Sequence, residues 1–204
     1  MSLLKLLREF SNNSFIDKIK SNPNFKSWFK NSKVVDSKNN PEVVFHGTYN
    51  DFTEFEKGDL GFHFGTQKSV EDRLKDKRGF DKGRTGIFFL SIQNPLETRD
   101  ARFWDFPPNV IDVVEEALDI KHEVRNYIYE NDKYKGQLYR GLSNQKKLKM
   151  IKEYLRDNYN IDVIKYKNEY EDKGSYSWIA FYPEQIKSIF NRGEFNKKSK
   201  NILE

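Results

Sequence analysis

Two of the three histidines in this 204-residue chain stand in matching surroundings, Phe45-His46-Gly47-Thr48 and Gly61-Phe62-His63-Phe64-Gly65-Thr66. An imidazole donates and accepts hydrogen bonds near neutral pH and stacks through its flat face. In each segment an aromatic run ends in a Gly-Thr break, which brings the ring to or near a strand end where backbone N–H groups become free for a ligand. Two such rings imply a pocket. His46 taken alone reads more readily as the end of a strand bonded to a carbonyl than as a ligand contact. A pair of histidines also raises the question of a metal, but no third ligand stands at a useful spacing, so none is expected.

The elements that must position these residues follow from pattern. Leu4, Leu7, Phe10, Phe15, Ile16 and Ile19 recur at helical spacing, interrupted by Asn12-Asn13 and Pro23, which predicts two short helices in an arm that packs as a lid or brace. A polar link through Asn39-Asn40-Pro41 leads to a first strand at Glu42 to His46, and Gly61 to Phe64 reads as a short second strand. Phe62 and Phe64 alternate with His63 and so belong to the core. Thr66 reads as the N-cap of a helix running through Leu74. Lys75 to Arg84 is a basic, glycine-containing stretch, expected as a mobile loop. The apolar run Gly86 to Ile92 predicts a central strand buried on both faces, ended by Asn94-Pro95-Leu96. Helices are predicted after Pro107-Pro108 and over Gln145 to Asn158. Val163 to Tyr166 and Ser177 to Phe181 form a hairpin with a long acidic loop. Residues 1–40 thus make the arm and linker, 41–195 the main domain, and 196–204 a basic tail expected to be disordered.

Composition narrows the classes. The chain is 36% hydrophobic and 15% aromatic, enough for one sizeable core. It has no cysteine, which excludes disulfides, thiolate metal sites and a cysteine nucleophile and fits a cytoplasmic setting. No apolar run approaches the roughly 20 residues needed to cross a bilayer, and Met1-Ser2-Leu3-Leu4-Lys5 lacks a signal-peptide stretch. The net charge of +5 comes from 36 basic and 31 acidic residues. That describes a mixed surface rather than a nucleic-acid stripe, although eleven tyrosines keep nucleic acid open as a partner.

Three blocks in order carry a resemblance. They are Val43 to Thr48, with Trp28-Phe29 leading in; Gly61 to Thr66; and Tyr166-Lys167-Asn168 through Glu171, ending in Trp178 to Ser188. Together they resemble the ADP-ribosyltransferases, and within them the phage-encoded polyvalent-protein transferases, over about Ser27 to Glu194. The resemblance implies an α+β fold with a split antiparallel β-sheet gripping NAD as substrate. It implies that His46 bonds a ribose hydroxyl, that Gly47 lets its backbone approach the nicotinamide carboxamide, and that Thr48 adds a hydroxyl. His63 matches the place where many members put a tyrosine that stacks on nicotinamide.

In poly(ADP-ribose) polymerases a glutamate just precedes the last of these strands, but Ser177 stands there in this chain. In the phage-type pattern an Asn is followed three residues later by Glu, which selects Glu171 as the catalytic carboxylate and leaves Glu169 as the alternative. A carboxylate is required because breaking the nicotinamide–ribose bond builds positive charge on the sugar. The other acids of this loop read as solvated. Arg73, with Lys77, Arg78 and Arg84, is a candidate for the pyrophosphate, or else simply solvated. Asn94, Arg99-Asp100 and Trp104 resemble a further family segment with a structural role. The reading is transfer of ADP-ribose to a macromolecular acceptor, a host protein if the gene belongs to a phage. The alternatives are NAD hydrolysis, or a nucleotide- or partner-binding module without catalysis.

Overall fold

The computed structural model describes residues 14–56, 58–76, 83–130 and 142–204. Among them are six helices and seven strands in an α+β arrangement with two sheets. Leu4, Leu7, Phe10 and most of the expected basic loop, including Lys77 and Arg78, lie outside the described residues.

The apolar run around Phe88 becomes β3 (Arg84–Leu90), the middle strand of a three-stranded antiparallel sheet between β1 (Val44–Thr48) and β7 (Ile186–Ser188). Alternation along β3 sends Phe88 and Leu90 to one cluster and Ile87 and Phe89 to another, so the strand is buried on both sides as its composition demands. The second sheet runs β2 (Phe62–Phe64), β6 (Tyr176–Ala180), β5 (Val163–Lys167), β4 (Pro95–Arg99). Val163, Trp178 and Ala180 face the first sheet across a core that also holds Phe55, Phe62 and Phe64. Ile164, Ile179 and Phe181 face the opposite way, onto α4 (Pro107–Leu118), α5 (Glu123–Glu130) and α6 (Asn144–Tyr159). Ser143 caps α6 by accepting from the Lys146 amide, and Asn160 in left-handed geometry ends it.

The structure corrects the expectation at three places. β4 was expected only as the end of a strand, yet Pro95–Arg99 pairs parallel with β5, so the second sheet is not wholly antiparallel. Its pattern suits a strand, since proline is tolerated as a first strand residue and Leu96 and Thr98 turn inward while Glu97 and Arg99 stay out, but the pairing direction is set by the fold. The basic tail is not disordered. The Nζ of Lys187, itself fully buried, donates to the carbonyls of Ser199 (3.0 Å) and Asn201 (2.7 Å), the Ile202 amide donates to Thr53 O (2.8 Å), and Ile202 enters the core between the sheets. Two carbonyl acceptors and a buried isoleucine outweigh the solubility of the flanking lysines. Helix α5 also arises in a charged, tyrosine-rich stretch to which the sequence pattern assigns no element, anchored by buried Val124 and Ile128.

The N-terminal arm is a brace. α1 (Ser14–Ser21) is followed by α2 (Pro23–Phe29), which is capped by Asn22 and puts Phe25, Trp28 and Phe29 against Ile87 and Phe89 on the outer face of the first sheet. Trp28 Nε1 donates to Glu184 O (3.0 Å), and Ser91 Oγ donates to Trp28 O (2.7 Å).

Candidate active site

The two sheets touch where Phe45 of β1 and Gly65, just past β2, exchange backbone hydrogen bonds of 2.9 and 3.0 Å. A side chain at Gly65 would run into the hydroxyls of Ser69 and Ser177, so the crossing needs a glycine. This junction sets His46 beside His63. His46 Nδ1 lies 2.8 Å from the His63 carbonyl oxygen. A carbonyl only accepts, so Nδ1 carries the proton and the neutral ring keeps a lone pair at Nε2. Phe55, Phe64 and Phe88 close around the ring at 5.1, 5.4 and 6.4 Å between centroids. Burial pushes the His46 pKa down, the bond to His63 pulls it back in part, and the charge of Arg73 lowers it again. His63 is driven down to about 3 by burial, then by Arg73 and His46. Both rings are therefore neutral near pH 7 and act as hydrogen-bonding and stacking groups.

Helix α3 (Gln67–Asp76) supplies the next wall, started by Thr66, whose Oγ1 accepts from the Ser69 amide (3.0 Å). It packs on β1 because Gly47 has no side chain: a Cβ there would sit 3.1 Å from Val70 and 3.3 Å from Leu74. Gly47 thus serves helix packing as well as lining the cavity. Arg73, on α3, is exposed and has no hydrogen-bond or ion-pair partner among the described residues.

Two adjoining cavities result, of about 260 and 490 Å³. His46, Gly47, Asn168 and Ser177 line the first, and Asp59, Asp100, Arg102 and Phe103 the second. Gly61, His63, Arg73, Tyr166 and Glu171 line both. Tyr166 is buried, its hydroxyl is 3.4 Å from His63 Nδ1, and burial raises its pKa so that it stays a neutral phenol. Asn168 is 2% exposed; its Nδ2 donates to Ser175 Oγ (2.8 Å) and Ser177 Oγ (2.9 Å), while Oδ1 has no partner among the described residues.

The loop from β5 to β6 separates the candidate carboxylates. Glu171 is half-buried and stands at the junction of the cavities. Glu169 is exposed and lines neither, and its amide donates to Asp100 Oδ2 at 3.2 Å. Asp172, read as a solvated acid, accepts instead from Thr66 Oγ1 at 2.6 Å. Thr48 also misses these two cavities. Its hydroxyl donates to Asn50 O (3.0 Å) and accepts from the Asn50 amide (3.2 Å), a local turn that consumes it, and the residue borders a separate groove beside His46. Arg84 pairs with Asp51. Among the described residues no cluster of three or more His, Asp or Glu side chains could hold a metal ion, and no helix is long and apolar enough to cross a membrane.

A family model described as the ADP-ribosyltransferase in polyvalent proteins matches residues 36–195. The chain belongs to that family. A solved structure with some likeness, the crystal structure of an anti-CRISPR protein, aligns over 69% of this chain and 89% of that chain at 15% identity, with a TM-score of 0.32, too low to support an argument. No curated protein matches.

The family match contains every residue lining the two cavities and leaves out residues 196–204, although these pack against the domain. Of the sequence candidates in this ADP-ribosyltransferase family member, His46, Gly47, His63, Arg73 and Glu171 converge; Thr48 and Glu169 do not. Sequence reasoning missed Ser69 and Val70, visible only as helix residues. It also missed Asp100 as the anchor of the Glu169 amide; the signal for it was the family-like segment of Arg99-Asp100 and Trp104, whose Nε1 donates to the same carboxylate at 3.2 Å.

Proposed function

We propose that this domain binds NAD across the two cavities, breaks the bond between nicotinamide and ribose, and passes ADP-ribose to a macromolecular acceptor. The observation that carries the reading is the convergence of His46, His63, Arg73 and Glu171 on one pair of joined cavities. His46 offers a lone pair at Nε2 to a ribose hydroxyl, because Nδ1–H is committed to the His63 carbonyl. Neutral His63 offers a flat face and no charge that would oppose the cation forming on the sugar. Glu171 supplies the anion that stabilises that cation. Arg73, exposed and without a partner among the described residues, suits a pyrophosphate. The acceptor then enters through the larger cavity, past Phe103 and Arg102. A split-sheet transferase fold, a host-protein acceptor and action in the cytoplasm of a phage-infected cell belong to the same reading.

The test is incubation with NAD labelled in the adenylate and, in parallel, in the nicotinamide, with a bacterial lysate. Label on protein supports the reading. Label on nucleic acid moves the acceptor class, free ADP-ribose with nicotinamide release means hydrolysis, and no turnover means a binding module. Saturating NAD should also raise the melting temperature by mass-action linkage.

A further inference from the structure

We propose that Asp172 is a positioning residue that latches the β5–β6 loop to the start of α3 and thereby fixes Glu171 at the junction of the cavities. The positioning role rests on the reading of Glu171 as the catalytic carboxylate; the latch itself does not.

Three contacts form the latch. Thr66 Oγ1 donates to Asp172 Oδ2 at 2.6 Å, the Asp172 amide donates to Asp72 Oδ2 at 3.3 Å, and Lys68 Nζ stands 2.8 Å from Asp72 and 3.6 Å from Asp172. They are unequal. The lysine side chain is 64% exposed, and such ion pairs contribute little in water. The hydroxyl-to-carboxylate bond falls in the short range of charge-assisted hydrogen bonds and is the main fastening. Thr66 is a firm post, since its Oγ1 also accepts the Ser69 amide at the start of α3 and it follows Gly65, which is bonded to β1.

The loop is pinned on the other side of Glu171 as well, where the Glu169 amide donates to Asp100. Glu171 therefore stands between two anchors, each a carboxylate hydrogen-bonded across to or from another element. Asp172 has φ +41°, a left-handed conformation that most side chains avoid and Asp tolerates. Ser175 donates to the Asp172 carbonyl at 3.0 Å and the Gly174 amide to Asn168 O at 2.9 Å, closing the turn behind it. The loop thus accepts a strained residue at the position where the latch engages. One fastening joins the loop of Glu171 to the helix of Arg73, so both walls of the cavity keep one register.

The experiment compares Asp172→Gly, which removes the side chain without adding strain at positive φ, with Asp172→Asn, which keeps an acceptor and tolerates the backbone. Thr66→Val loosens the latch without touching the loop, and Thr66→Ser keeps the hydroxyl. Amide hydrogen exchange in the full chain reads the latch: Thr66→Val should speed exchange over residues 168–175, and Thr66→Ser should not. Unchanged exchange in Thr66→Val overturns the latch. Nicotinamide release reads the positioning: Asp172→Gly should lower kcat about tenfold with KM for NAD within about twofold, Asp172→Asn should keep most of kcat, and Asp172→Gly should cost nothing further in a Glu171→Gln background. An equal loss in that background overturns positioning through Glu171. Wild-type turnover in Glu171→Gln alone overturns the catalytic reading and the positioning role with it, while exchange still decides the latch.

Discussion

The two walls of the cavity are held by different forces. The histidine wall stands on apolar packing: His46 is enclosed by Phe55, Phe64 and Phe88, which belong to the core between the sheets. The carboxylate wall stands on hydrogen bonds: Asp100 fastens the Glu169 amide, Thr66 fastens Asp172, and Asn168 ties two serines. Burial of aromatic rings is non-directional and large, whereas each hydrogen bond nets only about 1 kcal/mol but fixes a direction. The first wall sets whether the domain folds, and the second sets where a charge points.

The comparison breaks first at Phe64, which is 2% exposed. Phe64→Ala should cost about 3–5 kcal/mol in denaturant unfolding, as large-to-small changes at buried aromatics do. A cost below about 1 kcal/mol would mean that the histidine wall does not depend on this core.

Acid should act on the histidine wall next. The folded pKa of His63 is about 3, below its ordinary value of 6.5. Above pH 6.5 neither state holds the proton. Between 6.5 and 3 the unfolded chain takes it and the folded chain does not, so stability falls as pH drops, by up to about 1.4 kcal/mol per unit. His46, also lowered, adds in the same sense. His63→Gln should flatten the decline in melting temperature between pH 7 and 5 relative to wild type; parallel slopes would show that His63 is not buried neutral.

On the carboxylate wall, Asp100→Ala removes the acceptor of the Arg102 and Glu169 amides and of Trp104 Nε1, and should destabilise by about 1–3 kcal/mol. Turnover should fall by more than stability explains, because the loop of Glu171 loses an anchor. Turnover that follows only the unfolded fraction would argue against that division of labour. The smallest effect sits where the walls meet α3: Gly47→Ala should cost roughly 1 kcal/mol, since its new methyl would lie 3.1 Å from Val70 and 3.3 Å from Leu74 and both can give slightly. Thermal melting checks this.

The same contrast explains what could be read in the sequence. Apolar alternation and glycine breaks placed β1, β2 and β3, Thr66 announced its helix, and Phe62 and Phe64 fell in the core as their alternation with His63 requires. These are local signals of period and cap. The parallel pairing of β4 with β5, the docking of Ser199 and Asn201 on Lys187 and the bond from Thr66 to Asp172 join residues far apart in the chain, and no local pattern encodes such meetings. Glu171 was selected by a motif spacing. Its separation from Glu169 into different surroundings appears only once Asp100 has taken the Glu169 amide.

The central claim is that Glu171, held by the polar wall, does the work on the sugar. Steady-state nicotinamide release by Glu171→Gln and Glu169→Gln tests it most directly, with NAD affinity measured in parallel. Glu171→Gln should lose roughly a hundredfold or more in kcat with near-normal NAD affinity, the scale expected for removing one key electrostatic group, and Glu169→Gln should stay close to wild type. Loss of turnover in Glu169→Gln with a normal Glu171→Gln would contradict the account.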